Sequence, residues 1–199
     1  MARTVWTLRY RLDGADDAAY FAWFHGEHIP DKRARPGYTW AAHYADGAGC
    51  YLALFGADEV RTFLDPSPGQ LKLRQDETTR RMVPHRREVV ASVLVEVARV
   101  GDAGIVPDAV RMTVVEPAGP GEDESAVAMV QRHMADAARQ PGFRWVTFLV
   151  PVIGSGKHVL IEAADRLGPP CAGLPPPAFA GTRIDTQALF QRTPSRDPG

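Results

Sequence analysis

Two histidines one helical turn apart, His25 and His28, stand in the segment Phe24-His25-Gly26-Glu27-His28-Ile29-Pro30. An imidazole titrates near neutral pH, so it can take a proton and then return it. Tyr20, Phe24 and His28 share a face at i, i+4 and i+8 spacing, which sets an imidazole against an apolar wall. His28 is therefore the first candidate for a general base or acid. The competing reading is a buried histidine that hydrogen-bonds a carbonyl near the turn. His25 is spaced to approach His28. Such a pair could hold a metal if a strand supplied a third ligand, and His43 is one candidate for that ligand. However, HGEH is not the zinc-binding HExxH pattern, and no CxxC or Cys/His zinc spacing occurs. No metal or cofactor is expected.

A strand-like run, Tyr38 to Tyr44, puts Trp40, Ala42 and Tyr44 on one face and Ala41 and His43 on the other. Either face could line a pocket. His43 could act as a base, and Tyr44 or Tyr51 could donate a hydrogen bond to an enolate. The catalytic candidates are thus His28, His25, His43 and Tyr44, with Tyr20, Phe24, Trp40 and Tyr51 as substrate-binding candidates. Trp40 also reads as core. Asp31 either orients His28 or sits at the helix end. His85, just ahead of a strand, is a possible axial haem ligand. Lys157 in Gly154-Ser155-Gly156-Lys157 does not complete a phosphate-binding loop and reads as a turn. No Rossmann glycine fingerprint or serine nucleophile elbow occurs.

The elements that must position these residues come in a repeated order. Pro36-Gly37-Tyr38-Thr39-Trp40 recurs as Pro141-Gly142-Phe143-Arg144-Trp145, 105 residues on, and the same offset carries His28 to His133, Asp31 to Asp136 and the first strand to Val110–Glu116. Tyr51 to Leu54 matches His158 to Ile161 after a two-residue insertion. His25 has no counterpart, since Val130 takes its place. In the first half, an alternating strand is followed by a helix capped by Asp16 or Asp17 and ended or kinked by Pro30. The Pro-Gly turn leads to strands at Tyr38–Tyr44 and Cys50–Phe55. A helix opening at Asp58 and interrupted from Pro66 to Gly69 follows, then a long strand from Glu88 to Val100. The order βαββαβ is the split βαβ, ferredoxin-like unit. The predicted fold class is α+β, two tandem repeats forming one intrachain barrel. The halves are residues 1–100 and 109–192, with a linker at 101–108 and a loose tail at 193–199. The second half erodes after Asp165, because Gly168-Pro169-Pro170 and Leu174 to Pro177 cannot sustain a helix. Its last strand is expected at Ile184–Gln191.

Lys and Arg number 23 against 24 Asp and Glu, so the chain carries no electrostatic footprint for nucleic acid. The local cluster Arg80, Arg81, Arg86 and Arg87 reads as a solvated helix end. The two cysteines, Cys50 and Cys171, read as small buried hydrophobes. No signal-peptide h-region or membrane-length apolar run occurs, which points to a soluble, cytoplasmic protein with no membrane partner.

The segment Phe24 to Pro30 followed by Pro36-Gly37-Tyr38, with the later strand Tyr51 to Leu54, resembles the dimeric α/β-barrel superfamily, and more narrowly its EthD-like branch. The resemblance covers the first half well and the second weakly. It implies two ferredoxin-like units packed sheet to sheet with helices outside and a ligand pocket between helices and sheet. It also implies a choice of activities, since such folds include antibiotic-biosynthesis monooxygenases, muconolactone isomerase, polyketide cyclases and chlorite dismutase-like haem enzymes. The leading expectation is a cofactor-independent cyclase, isomerase or lyase acting on a small apolar, aromatic or polyketide-like molecule. The alternatives are a cofactor-free monooxygenase, a haem protein and a non-catalytic ligand-binding module. A homodimer is compatible with all of them.

Overall fold

The computed structural model describes residues 3–13, 17–102, 106–116, 123–165 and 183–193. The first half comprises β1 (Thr4–Leu12), α1 (Asp17–Trp23), a π-helical turn (Phe24–His28), α2 (Ile29–Arg33), β2 (Tyr38–Ala45), β3 (Cys50–Ala57), the short helices α3 (Arg61–Leu64), α4 (Pro68–Leu73) and α5 (Glu77–Met82), and β4 (Arg86–Gly101). The second comprises β5 (Ala109–Glu116), α6 (Asp123–Ala137), β6 (Phe143–Ile153), β7 (His158–Ala164) and β8 (Arg183–Arg192). The proline-rich segment read as eroded lies outside the described residues.

Among the described residues, eight antiparallel strands close into a barrel in the order β1-β3-β2-β8-β5-β7-β6-β4. This is two ferredoxin-like sheets, β4-β1-β3-β2 and β8-β5-β7-β6, joined edge to edge at β2–β8 and β4–β6. The two seams are unequal: β4–β6 pairs along most of its length, whereas the β2–β8 pairing among the described residues is Tyr44 with Arg192 and Ala45 with Gln191. The repeat read from the sequence also recurs in the register. Trp6 faces Phe55 and Arg111 faces Glu162; Trp40 faces Gly56 and Trp145 faces Ala163. Both halves slip register at the same place, between Tyr38 and Trp40 and between Phe143 and Trp145. A bulge is a local irregularity tied to its own residues, so its recurrence speaks for descent from one unit.

Strand alternation produces three apolar layers. The barrel interior holds Val5, Tyr44, Leu54, Leu94, Trp145 and Phe190. The first-half sheet packs outward against its helices through Leu8, Tyr10, Tyr20, Trp23, Phe24 and Phe55. The second-half sheet does so through Val115, Val130, Met134, Val146 and Phe148. A Cβ on Gly56 would stand 2.0 Å from the Trp40 indole nitrogen. Gly56→Ala is therefore expected to cost about 1–3 kcal/mol through overpacking, read as a lowered urea midpoint with an unchanged m-value. Gly37, in the Pro-Gly turn, has φ +86, and a Cβ there would meet Thr62 Oγ1 at 2.5 Å, so glycine is required on both counts.

The helix does not stop at Pro30. It widens into the π turn, where the Ile29 N–H reaches back to the Phe24 carbonyl, and then continues through Arg33. Pro30 cannot bond to the carbonyl four residues earlier, and the wider turn absorbs that missing bond. The second helical stretch is likewise broken earlier than expected, at Asp65–Ser67. Pro68 starts α4 rather than interrupting it, because a first-turn position needs no proline N–H and Ser67 with Gln70 forms a capping box.

Candidate active site

Alternation along β2 decides the question the sequence left open. Ala42 and Tyr44 face the barrel interior, whereas Ala41 and His43 face the helices. β1 sends Tyr10 into the same helix-facing layer, and α1 with the π turn supplies Tyr20, Phe21, Phe24, His25 and His28. There the polar groups link up. The Tyr10 hydroxyl lies 2.9 Å from His43 Nε2, and His43 Nδ1 lies 3.2 Å from His25 Nε2 and 3.0 Å from Thr193 Oγ1. Thr193 Oγ1 also donates to the His43 carbonyl at 3.0 Å. Tyr10 and His43 are buried, and His25 is half-buried at the outer end. Aromatic rings wall the array: Tyr51 stacks on His43 at 5.7 Å, Phe24 lies at 4.7 Å and Phe21 at 5.8 Å.

Burial sets the electrostatics. It holds His43 well below the ordinary imidazole value, with His25 and Arg86 pushing the same way, and it lowers His25 as well. His28 is brought down to about 3 by burial and then by the nearby Arg86, Lys32 and Arg35 charges. All three imidazoles are neutral at pH 7 and able to accept a proton. Burial, with the neighbouring Tyr20, drives the Tyr10 phenol far up, so it stays protonated.

Several expectations need correction. His25 turns to His43 rather than to His28, because the π turn rotates the two imidazoles onto different sides of Phe24. His28 stacks on Phe24 at 5.3 Å and lies 4.6 Å from Trp23, and it makes no hydrogen bond with any described residue. The expected carbonyl bond is therefore absent there. Tyr44 cannot assist these histidines: it points into the barrel, where its hydroxyl donates to the Pro107 carbonyl at 3.2 Å. Trp40 packs against that same interior and forms no wall of the histidine array. Asp31 does not orient His28 but bonds Arg35 at 2.8 Å. Thr193, assigned to the loose tail, is tied to His43 by side chain and backbone.

The arginine cluster is not uniformly a solvated helix end. Arg86 opens β4 and lies under the helix, its Nε donating to the Tyr20 hydroxyl at 2.7 Å. Its guanidinium stands 5.1 to 5.8 Å from the rings of Tyr10, Tyr20, Trp23 and Phe24. The sequence reading missed Tyr10, Arg86, Lys32 and Thr193. A haem does not fit the layer as it is built. Tyr10, Tyr20 and Phe24 are at most 2% exposed and fill it ring against ring, and His85 Nδ1 faces Asp13 at 3.4 Å. A cleft of about 490 Å³ at the barrel rim, lined by Arg9, Arg11, Cys50 and Glu88 among others, reaches Tyr10 but is not lined by either histidine.

The second half shows what this layer looks like without the array. By the 105-residue offset, Tyr10, His25 and His43 become Val115, Val130 and Phe148, and all three pack in its apolar layer. The strand pairings agree, since Tyr10 faces Tyr51 as Val115 faces His158. The fold closes without these polar groups, whose burial carries a desolvation cost. His133, the counterpart of His28, bonds Glu162 at 3.1 Å, and Glu162 pairs with Arg111 where the first half has Phe55 and Trp6.

No family model matches the chain, and no curated protein matches it. Solved structures do. A protein provisionally named a chlorite dismutase is 12% identical, with 98% of this chain and 96% of that one covered at a TM-score of 0.67. A provisionally named monooxygenase from Fusobacterium nucleatum is 9% identical, over 96% and 92% of the two chains, with a TM-score of 0.65. An anthrone oxidase-like protein is 17% identical, over 98% and 94%, with a TM-score of 0.61. The likeness runs the length of the barrel and establishes the shared ferredoxin-like fold, which does not by itself carry a reaction.

Proposed function

We propose that the chain is a cofactor-independent enzyme that removes a proton from an activated carbon or phenol of a small aromatic or polyketide-like molecule. The observation that carries this reading is the His25–His43–Tyr10 array, polar in one half and replaced by apolar residues in the other. Consider the tautomer in which His25 Nε2–H donates to His43 Nδ1 and His43 Nε2–H donates to Tyr10. It leaves the Nδ1 lone pair of His25 free at the exposed end. His25 is then the base. His43 fixes its ring and shares the charge that develops on it, and Tyr10 and Thr193 hold His43 in turn. Phe24 keeps water from the inner array, and the part-exposed rings of Phe21 and Tyr51 present an apolar surface to the substrate.

Cyclisation, isomerisation or elimination follows directly from such a carbanion or enolate. A second reading adds dioxygen, which an electron-rich phenolate or anthrone anion can reduce without a cofactor. The names of the monooxygenase and the anthrone oxidase-like protein favour it. One experiment separates the two: incubate anthrone and a β-diketone with the protein in D2O, under argon and under air. Enzyme-dependent deuterium uptake under argon supports proton transfer, and oxygen consumption confined to air supports oxygenation. Binding with neither outcome overturns both and leaves a ligand-binding module.

A further inference from the structure

The proton-transfer array leaves a second buried cluster unused. Lys32 is only 6% exposed and forms no ion pair with any described residue, its Nζ standing 5.5 Å over the Trp6 ring. His28 lies one turn before it and Arg35 three residues after, along one ridge of the helix. Arg35 gives one nitrogen to Asp31, but its Nη1 is buried with no hydrogen-bond partner. Arg86 reaches the same place from β4: its guanidinium lies against Trp23 and Phe24, the two rings on which His28 packs, and its Nη2 is also buried without a partner.

Buried cations are ordinarily paired. Here an ammonium and two orphaned guanidinium donors gather round a neutral imidazole. The nearby carboxylates are both exposed and engaged, Asp31 by Arg35 and Asp76 by the N-terminus of α5. The cluster gathers unpartnered donors suited to an anion. We propose that Lys32, Arg86 and His28 form a subsite for a carboxylate carried by the substrate. A carboxylate suits it because a guanidinium edge grips two coplanar oxygens. Burial, with the charges of Arg35 and Arg86, brings the Lys32 ammonium down to about 8; a seated anion would raise it.

This inference rests on the enzymatic reading for its substrate but is tested without turnover. The probes are benzoate, its neutral isostere benzamide, and inorganic phosphate, titrated calorimetrically against the full chain and against Lys32→Met. Benzoate should bind at least ~10-fold more tightly than benzamide, as expected where a buried charge gains its partner. That preference should vanish in Lys32→Met, which should also melt no lower than the wild type, because an unpaired buried charge has been removed. Equal binding of benzoate and benzamide, a preference that survives in Lys32→Met, or binding of phosphate alone would overturn the proposal, as would a lowered melting temperature in Lys32→Met. His25→Gln should keep the benzoate preference. A protein that shows the preference yet moves no proton refutes the catalytic reading and leaves the subsite standing.

Discussion

His25→Gln should lower kcat by about 10²- to 10⁴-fold, the range a positioned general base supplies, with the melting temperature nearly unchanged. Glutamine places an amide N–H where His25 Nε2 meets His43, so the inner part of the array stays bonded, and the side chain replaced is the half-buried one at the outer end. What is lost is a titratable nitrogen facing the substrate. The pH profile supplies an independent check. Burial lowers the pKa of His25, so the acid limb of kcat/KM should lie below 6.5, and a limb at or above that value would point to another base. Tyr10→Phe behaves differently. It leaves His43 Nε2 buried without its partner, which costs about 1–3 kcal/mol of stability, and its effect on turnover should be smaller because the hydroxyl acts through His43. A His25→Gln protein working within threefold of the wild type would remove His25 from the mechanism.

The repeat made the fold legible. Pro-Gly-aromatic-x-Trp fixes a turn and a strand start twice, and two βαββαβ units of one chain can close on each other. The orientation of β2 was not legible for a physical reason. Both faces of a barrel strand are buried here, one against the interior and one against helices, so Trp40, Ala42 and Tyr44 read as apolar beside Ala41 and His43. Alternation reports a strand's buried face only when the other face is wet. Tyr10 was lost the same way, as one more β-former in a strand.

Arg86 and Lys32 were missed because of their neighbours. Arg86 sits in a basic run, and such runs are mostly solvated; its place at the start of β4 takes it under α1. Lys32 follows Pro30, where the helix was expected to end, so its i+4 relation to His28 had no helix to stand on. A signal for the array was nevertheless present. His25 maps to Val130, and the same comparison extended to Tyr10 and His43 gives valine and phenylalanine. Polar residues retained at positions that the sister half fills with apolar ones mark a site more sharply than any single motif in the chain.

The protein should lose stability steeply as pH falls from 6.5 toward 4. Unfolded imidazoles titrate near 6.5, whereas in the folded chain His28 titrates at about 3, and His25 and His43 are also held below the ordinary value. Between the two values the unfolded state binds more protons than the folded one, so the free energy of unfolding rises with pH there and falls on acidification. The full contribution is present above 6.5 and is lost progressively as pH drops toward the folded value. For His28 alone it amounts to roughly 3–5 kcal/mol, a large part of the 5–15 kcal/mol typical of a domain. The lowered carboxyls of Glu162 and Asp76 act with the same sign, but only below about 4.5, where unfolded carboxyls begin to protonate. The interval from 5 to 6.5 therefore isolates the histidines. Urea unfolding across it should give a slope approaching ~1.4 kcal/mol per pH unit for each imidazole held neutral. His28→Leu should remove one such increment and raise stability at pH 5 relative to the wild type, since leucine is not charged at any pH and the Trp23–Phe24 wall remains for it to pack on. A flat profile between 5 and 6.5, or an unchanged slope in His28→Leu, would mean that the imidazole is reached by water or by an anion and is not kept neutral by its surroundings.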